Sequence, residues 1–320
     1  MNTTPKPIIA VHGGAGTISR ESMTPEKEVK YKSALREAVL KGSQILEKGG
    51  SAIEAVEAAV IVLEDCPLFN AGKGSVFTNK GTHEMDAAIM CGKTLEAGAV
   101  ACVEGVKNPI RLAKLVMKKS GHVFLCGPDA VKFARLYELP IMPPDYFFDQ
   151  FRYEQWMEAK KTNQATLDHS AEDEEGIILK DKKFGTVGAV ALDAEGNLAA
   201  ATSTGGLTNK KFGRIGDSPI IGAGTYANNA SCAVSCTGYG EFFIRAVVAH
   251  DIACLMEYAG MSLKEAASKV VLDKLVKMNA SGGVIAVDKY GNVDLCFNSE
   301  GMYRAYKRVG EKEFVAIYRD

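Results

Sequence analysis

The segment Thr186–Thr204 constrains the fold more than any other part of this 320-residue chain. Thr186-Val187-Gly188-Ala189-Val190-Ala191-Leu192 is a near-continuous apolar run, the pattern of a buried strand. Asp193-Ala194-Glu195-Gly196-Asn197 follows, a three-residue hairpin loop with Gly196 at the left-handed position. Leu198–Thr204 is the return strand. In this loop type Asp193 faces Asn197, so 192 faces 198 and 186 faces 204. The register therefore predicts Thr204 directly across from Thr186. The same grammar recurs in Ala286-Val287-Asp288-Lys289-Tyr290-Gly291-Asn292-Val293.

Around this hairpin the chain alternates strand-rich and helix-rich runs. A strand over Pro7–His12 opens onto the glycine-rich corner His12-Gly13-Gly14-Ala15-Gly16. A helix is predicted from Glu26 to Lys48. Ser51-x-x-Glu54 is a capping box, starting a second helix that runs to about Asp65 and is stopped by Pro67. Strands are expected around Val76, over Glu84–Met90 and over Gly98–Val103, with a helix from Pro109 to about Lys119. A polar helix is expected over Tyr153–Lys161, and helices over Glu241–Tyr258 and Ser262–Met278. Two sheets covered by helices is the simplest way to bury all these faces.

Thr186 also stands at a sharp change of composition. Within 171–183, eight of thirteen residues are charged, so 162–185 reads as a mobile linker ending at Gly185-Thr186. A cut between Gly185 and Thr186 would free an N-terminal threonine. Such a residue holds a nucleophile and a base together: its hydroxyl attacks while its α-amino group, with a reference pKa of about 7.7–8.0, takes the proton. The plain alternative is a strand that begins with a β-branched residue.

Other residues suited to chemistry cluster at glycines. Thr204 precedes Gly205-Gly206. Thr237-Gly238-Tyr239-Gly240 ends an apolar strand and precedes a helix, so its backbone N–H groups suit an oxyanion. Arg214-Ile215-Gly216-Asp217 sets opposite charges three residues apart. That pair suits the carboxylate and ammonium of an amino acid, or forms a solvated ion pair of no consequence. Asn70 sits in a glycine-rich loop, where it orients a reacting group or caps a turn. Gly222-Ala223-Gly224-Thr225-Tyr226-Ala227 imitates a dinucleotide fingerprint, but a strand rather than a helix is expected to follow.

Bulk properties exclude several classes. Basic and acidic side chains nearly cancel, at 38 and 39, leaving no global field for nucleic acid or a membrane surface. No stretch approaches a membrane span, and the opening residues lack a signal-peptide core, so a cytoplasmic location is expected. The eight cysteines form no Cys-x-x-Cys and suit a reducing compartment, and the five histidines lack zinc-ligand spacing.

Six ordered motifs together resemble the plant-type (type III) L-asparaginases and isoaspartyl aminopeptidases of the N-terminal-nucleophile hydrolase superfamily. They are His12–Gly16, Cys66–Gly72, Gly185–Asp193, Thr202–Gly206, Gly213–Pro219 and Cys236–Glu241. The resemblance runs nearly end to end. It implies an α+β fold, a single four-layer αββα sandwich over 1–320. It implies self-cleavage into an α chain of 185 residues and a β chain of 320 − 185 = 135 residues. Thr186 becomes the nucleophile, supported by Thr204 and assisted by Asn70. Thr237 and Gly238 form the oxyanion hole. Arg214, Ile215, Gly216 and Asp217, with Tyr239 and Gly240 nearby, bind the substrate head. The resemblance implies no cofactor for catalysis. It does imply a structural sodium ion on backbone carbonyls of Leu63, Glu64, Cys66, Phe69, Ala71 and Lys73. The expected assembly is a homodimer of αβ heterodimers. The expected reaction is hydrolysis of β-aspartyl dipeptides and L-asparagine through a β-aspartyl ester. A glycosylasparaginase or a protein-processing threonine protease of the same superfamily is the alternative.

Overall fold

The computed structural model describes residues 5–21, 23–161 and 185–319. The charged segment expected to be a linker, 162–184, lies outside the described residues.

The predicted hairpin forms as read. Strands β1 (Ile8–Gly16), β2 (Met85–Cys91), β3 (Ala97–Val103) and β4 (Phe124–Cys126) precede it. The hairpin itself is β5 (Thr186–Leu192) and β6 (Leu198–Thr204). Asp193 N–H donates to the Asn197 carbonyl, Gly196 has φ +82°, and Thr186 pairs with Thr204. The second copy of this grammar closes β9 (Gly282–Asp288) onto β10 (Val293–Asp294), after β7 (Thr225–Ala227) and β8 (Cys232–Gly238). The chain ends with β11 (Gly301–Arg308) and β12 (Phe314–Tyr318). An eight-stranded sheet has the order β12-β11-β1-β5-β6-β2-β3-β4, and a four-stranded sheet has the order β10-β9-β8-β7.

Alternation along β5 and β6 sorts the two faces of the large sheet. Val187, Ala189, Ala199 and Ala201 point to one face. There they meet helices α1 (Pro25–Glu47), α2 (Ala52–Asp65) and α3 (Pro109–Lys119). Val190, Leu192, Leu198 and Ala200 point the other way, onto Ala233, Ile285 and Val287 of the small sheet. The outer face of the small sheet is covered by helices over Val248–Ala259 and Leu263–Ser268. Four layers, αββα, result.

The capping box at Ser51 is complete, with Glu54 returning a bond to the Ser51 N–H. Three details differ from the sequence expectation. The first strand does not stop at His12 but continues through the glycines to Gly16, with a register shift between His12 and Ala15. No strand forms around Val76, because its N–H is taken by the Asn70 side chain at 3.0 Å instead of a ladder partner. The helix expected from Glu241 to Tyr258 is two helices, since Val247 adopts φ +51° and breaks it.

A polar seam crosses the apolar layer between the sheets. His12, Gly188 and Thr202 lie side by side on β1, β5 and β6. Ser235 on β8 meets His12 Nε2 at 3.0 Å and Thr202 Oγ1 at 2.7 Å. Thr225 Oγ1 donates to Thr202 Oγ1 at 2.7 Å. Burial holds the His12 imidazole down at about 3, opposed by a hydrogen bond to the Thr186 backbone, so the ring is neutral at physiological pH. The seam exists because Gly188 has no side chain. A Cβ there would lie 2.0 Å from Ser235 Oγ and 2.5 Å from His12 Nε2. Gly188→Ala is expected to cost about 3 kcal/mol by overpacking and stranding these polar groups. Thermal unfolding should register this as a fall of roughly 5–10 °C; an unchanged midpoint would mean the two sheets have room to part.

Candidate active site

Two rungs beyond the polar seam, the strands bring three side chains to the face between the sheets. Thr186 pairs with Thr204, and Thr204 pairs with Asp86 of β2. Directly paired residues project to the same face, so all three line up across the ladder. Thr186 Oγ1 donates to Thr204 Oγ1 at 3.2 Å. Thr204 Oγ1 also accepts the Gly206 N–H at 3.0 Å, which folds the turn after β6 back toward Thr186.

A cleft of about 320 Å³, including its open mouth, begins at this point. Gly185, Thr186, Thr204 and Gly206 form one wall; Arg214, Gly216, Asp217 and Ser218 form another; Gly238 and Gly240 close it. The glycines are there for clearance. A Cβ on Gly240 would lie 2.8 Å from Arg214 Nη2, and one on Gly238 would lie 2.2 Å from the Phe243 ring. Thr237 lies behind this wall, fully buried, on the β8 face that also carries Ser235. Its hydroxyl has no hydrogen-bond partner among the described residues. It lies two residues beyond Ser235 on β8.

Arg214 and Asp217 share the cleft but are not each other's main partners. Arg214 makes a forked pair with Glu241, Nε to Oε1 and Nη2 to Oε2, both at 2.8 Å. Burial opposes the Arg214 charge, and Glu241 outweighs that effect, holding the guanidinium above its ordinary pKa. Asp217 is buried with Oδ2 unpartnered among the described residues. Burial pushes its carboxyl up to about 7, with Arg214 acting the other way. A partly desolvated carboxyl beside a fixed guanidinium is suited to a ligand that brings an ammonium and a carboxylate together.

Asn70 stands behind the first wall. Its Oδ1 accepts the Val76 N–H, its Nδ2 donates to the Gly206 carbonyl at 2.7 Å, and its own carbonyl accepts the Gly205 N–H at 3.0 Å. It secures the Thr204–Gly206 turn. Asn70, Thr237, Ile215 and Tyr239 are not among the residues that line the cleft. Leu207, Ser218 and Glu241 belong to the site but were not singled out from the sequence. Glu241 had a signal: an acidic residue opening a helix next to a glycine turn.

The loop after α2 gives the residues named for sodium a coherent setting. A Cβ on Gly72 would lie 2.4 Å from the Glu64 carbonyl, so the loop folds tightly over the helix end. There the last helical carbonyls lack helical partners. The carbonyls of Leu63, Cys66, Phe69 and Ala71 each accept one backbone N–H, leaving a second lone pair. The Lys73 ammonium lies 5.3 Å from the Tyr146 ring centroid. A set of neutral oxygens fits a hard monovalent cation.

Comparison with known proteins places this site in context. A family model described as asparaginase matches residues 5–317. The isoaspartyl peptidase of Escherichia coli K12 is 54% identical over 316 residues, covering 98% of this chain and 97% of its own. A putative isoaspartyl peptidase/L-asparaginase of Dictyostelium discoideum is 49% identical over 94% of this chain and 93% of its own. A plant-type L-asparaginase of Pyrococcus horikoshii is 47% identical over 95% of this chain and 97% of its own.

Arg214→Ala should weaken binding of L-aspartate on the order of a hundredfold, about 3 kcal/mol, since it deletes a buried charged donor. Titration calorimetry decides this, and an unchanged Kd would remove Arg214 from ligand recognition.

Proposed function

This chain belongs to the asparaginase family, and from that membership we propose that it is a self-processing N-terminal threonine hydrolase of β-aspartyl dipeptides and L-asparagine. The observation that carries the reading is the Thr186 hydroxyl at the cleft wall, bonded to Thr204 and facing the Arg214–Asp217 pair. Maturation begins when Thr186 Oγ1 attacks the Gly185 carbonyl. The acyl group passes from nitrogen to oxygen, and water hydrolyses the resulting ester. The products are chains of 1–185 and 186–320, the second starting with a free α-amino group.

Turnover repeats this chemistry on a small substrate. Arg214 holds the α-carboxylate and Asp217 accepts from the α-ammonium, which leaves the β-carbonyl at Thr186. The α-amino group takes the hydroxyl proton as Oγ1 attacks. The oxyanion is held by the Thr237 hydroxyl and the Gly238 N–H. Ammonia or an amino acid leaves with the proton, and water cleaves the β-aspartyl ester. The narrow cleft, walled by the Arg214–Asp217 pair, suits a small amino-acid head better than a folded protein segment. Assays with β-aspartyl dipeptides, N-acetylglucosaminyl-asparagine and a folded protein substrate separate this reading from a glycosylasparaginase and from a protein-processing protease.

Three further points belong to the same proposal. A sodium ion on the carbonyls of Leu63, Glu64, Cys66, Phe69, Ala71 and Lys73 would stiffen the loop that carries Asn70. A pair of αβ units as the working assembly rests on the resemblance alone. Cytoplasmic residence is supported by eight free cysteines. Among the described residues, no helix is long and apolar enough to cross a membrane.

Intact mass of the denatured protein tests maturation: two species are expected, the smaller beginning at Thr186. Thr186→Ala should remain a single chain without turnover, and a cut in that variant would sink the mechanism. The pH dependence of kcat/KM tests the head pocket. Below about pH 7 the free enzyme's Asp217 is protonated and no longer attracts an ammonium, so kcat/KM should fall. Asp217→Asn should lose that limb together with most of the affinity.

A further inference from the structure

Behind the nucleophile lies an ion pair that the mechanism above does not use. Lys210 is 2% exposed and Asp86 is fully buried. Lys210 Nζ donates to the Glu84 carbonyl at 2.7 Å and faces Asp86 Oδ2 at 3.8 Å. Asp86 Oδ1 accepts the Cys102 N–H, while Oδ2 has no hydrogen bond among the described residues. The lysine stem runs along Gly206, where a Cβ would lie 3.0 Å from Nζ and 3.1 Å from Cδ. Gly206 in turn donates to Thr204 Oγ1, the acceptor of the Thr186 hydroxyl. Asp86 is also the cross-strand partner of Thr204, and Thr204 that of Thr186.

Buried ion pairs are poor stabilisers, because desolvation consumes most of their attraction. This one stands two strand spacings from Thr186, roughly 10 Å, on the same face of the sheet. We propose that the Lys210–Asp86 pair is a positioning device for the nucleophile. It seats the Thr204–Gly206 turn and sets the electrostatic field at the α-amino group of Thr186, so that this group serves as a base at neutral pH. The inference rests on the proposed reading of Thr186 as a freed N-terminus. Other charged or titratable groups around this region are His12 on β1, Glu64 under β6, Glu84 and Cys102 beside Asp86, Arg214 and Asp217 in the cleft, and Glu241 behind Arg214. The pair also acts on some of these: Asp86 and Lys210 oppose each other at Cys102, and Asp86 bears on Arg214 and Asp217.

Opposite charges make opposite predictions, which separates a field effect from damage to the fold. Removing the cation stabilises the protonated amine, so the acid limb of kcat moves to higher pH. Removing the anion moves it to lower pH. The limb of kcat, rather than kcat/KM, is the right readout, because bound substrate holds Asp217 ionised. The experiment uses mature enzyme, checked as two chains by intact mass, with saturating L-asparagine. Lys210→Met should shift the limb up, and Asp86→Asn down, each by about half to one pH unit. The double variant should return close to the wild type. Plateau kcat in Lys210→Met should fall on the order of tenfold with KM changed less than about threefold, because the Thr204–Gly206 turn loosens while the head pocket stays intact. Should Lys210→Met stay uncut, Asp86→Asn keeps the side-chain shape and carries the test by its downward shift. Coincident acid limbs in the single variants would overturn the proposal. A wild-type protein that remains uncut, or a Thr186→Ala variant that retains turnover, would instead overturn the reading of Thr186.

Discussion

The antiparallel register that sets Thr186 against Thr204 is the constraint on which the rest of the site depends. It is fixed at the far end of the hairpin, by the Asp193–Asn197 loop, and carried along seven rungs of ladder. A slip of one residue would turn Thr186 toward the helices and leave the cleft without its hydroxyl. Everything nearby is arranged around the correct register. Gly188 keeps the sheets close, Thr204 accepts the hydrogen bond of the Thr186 hydroxyl, and Asn70 with Gly206 holds the turn that Thr204 begins.

Charge is managed differently at the two ends of the cleft. At the head pocket, Arg214 is held rigid by Glu241, while Asp217 is left with an unpartnered oxygen. The guanidinium is thus committed in orientation, while burial pushes the Asp217 carboxyl up to about 7. The two carboxylates near Arg214 therefore differ in pairing, although both are acidic residues within reach of the same cation.

What could be read in the sequence was what local grammar determines. The hairpin register followed from loop length and Gly196, and the Ser51 capping box from a four-residue pattern. Two helix-covered sheets followed from the alternation of runs. The failures are non-local. The strand expected at Val76 is lost to the side chain of Asn70. The break at Val247 has no sequence mark, since β-branched residues disfavour the left-handed conformation it adopts. Glu241 became a partner of Arg214 only through the packing of α-helical and loop segments distant in the chain. Lys210 stands beside Lys211 in the sequence with no local mark of burial, and only the fold buries it.

The strand order carries a consequence for the molecule's life history. In the large sheet, β12 and β11 come from after Thr186, β1 from before it, β5 and β6 from after, and β2 to β4 from before. The two segments are interleaved twice, like fingers of clasped hands. The small sheet lies wholly after Thr186, but the large sheet that covers it is complete in neither segment, so neither is a folding unit alone. A cut at Gly185–Thr186 falls at the first residue of a strand and breaks no rung of the ladder. Severed chains would stay joined by every hydrogen bond they had before, and separating them would mean unzipping the sheet. The order of events is thereby imposed by topology: the chain must fold whole before it can be divided.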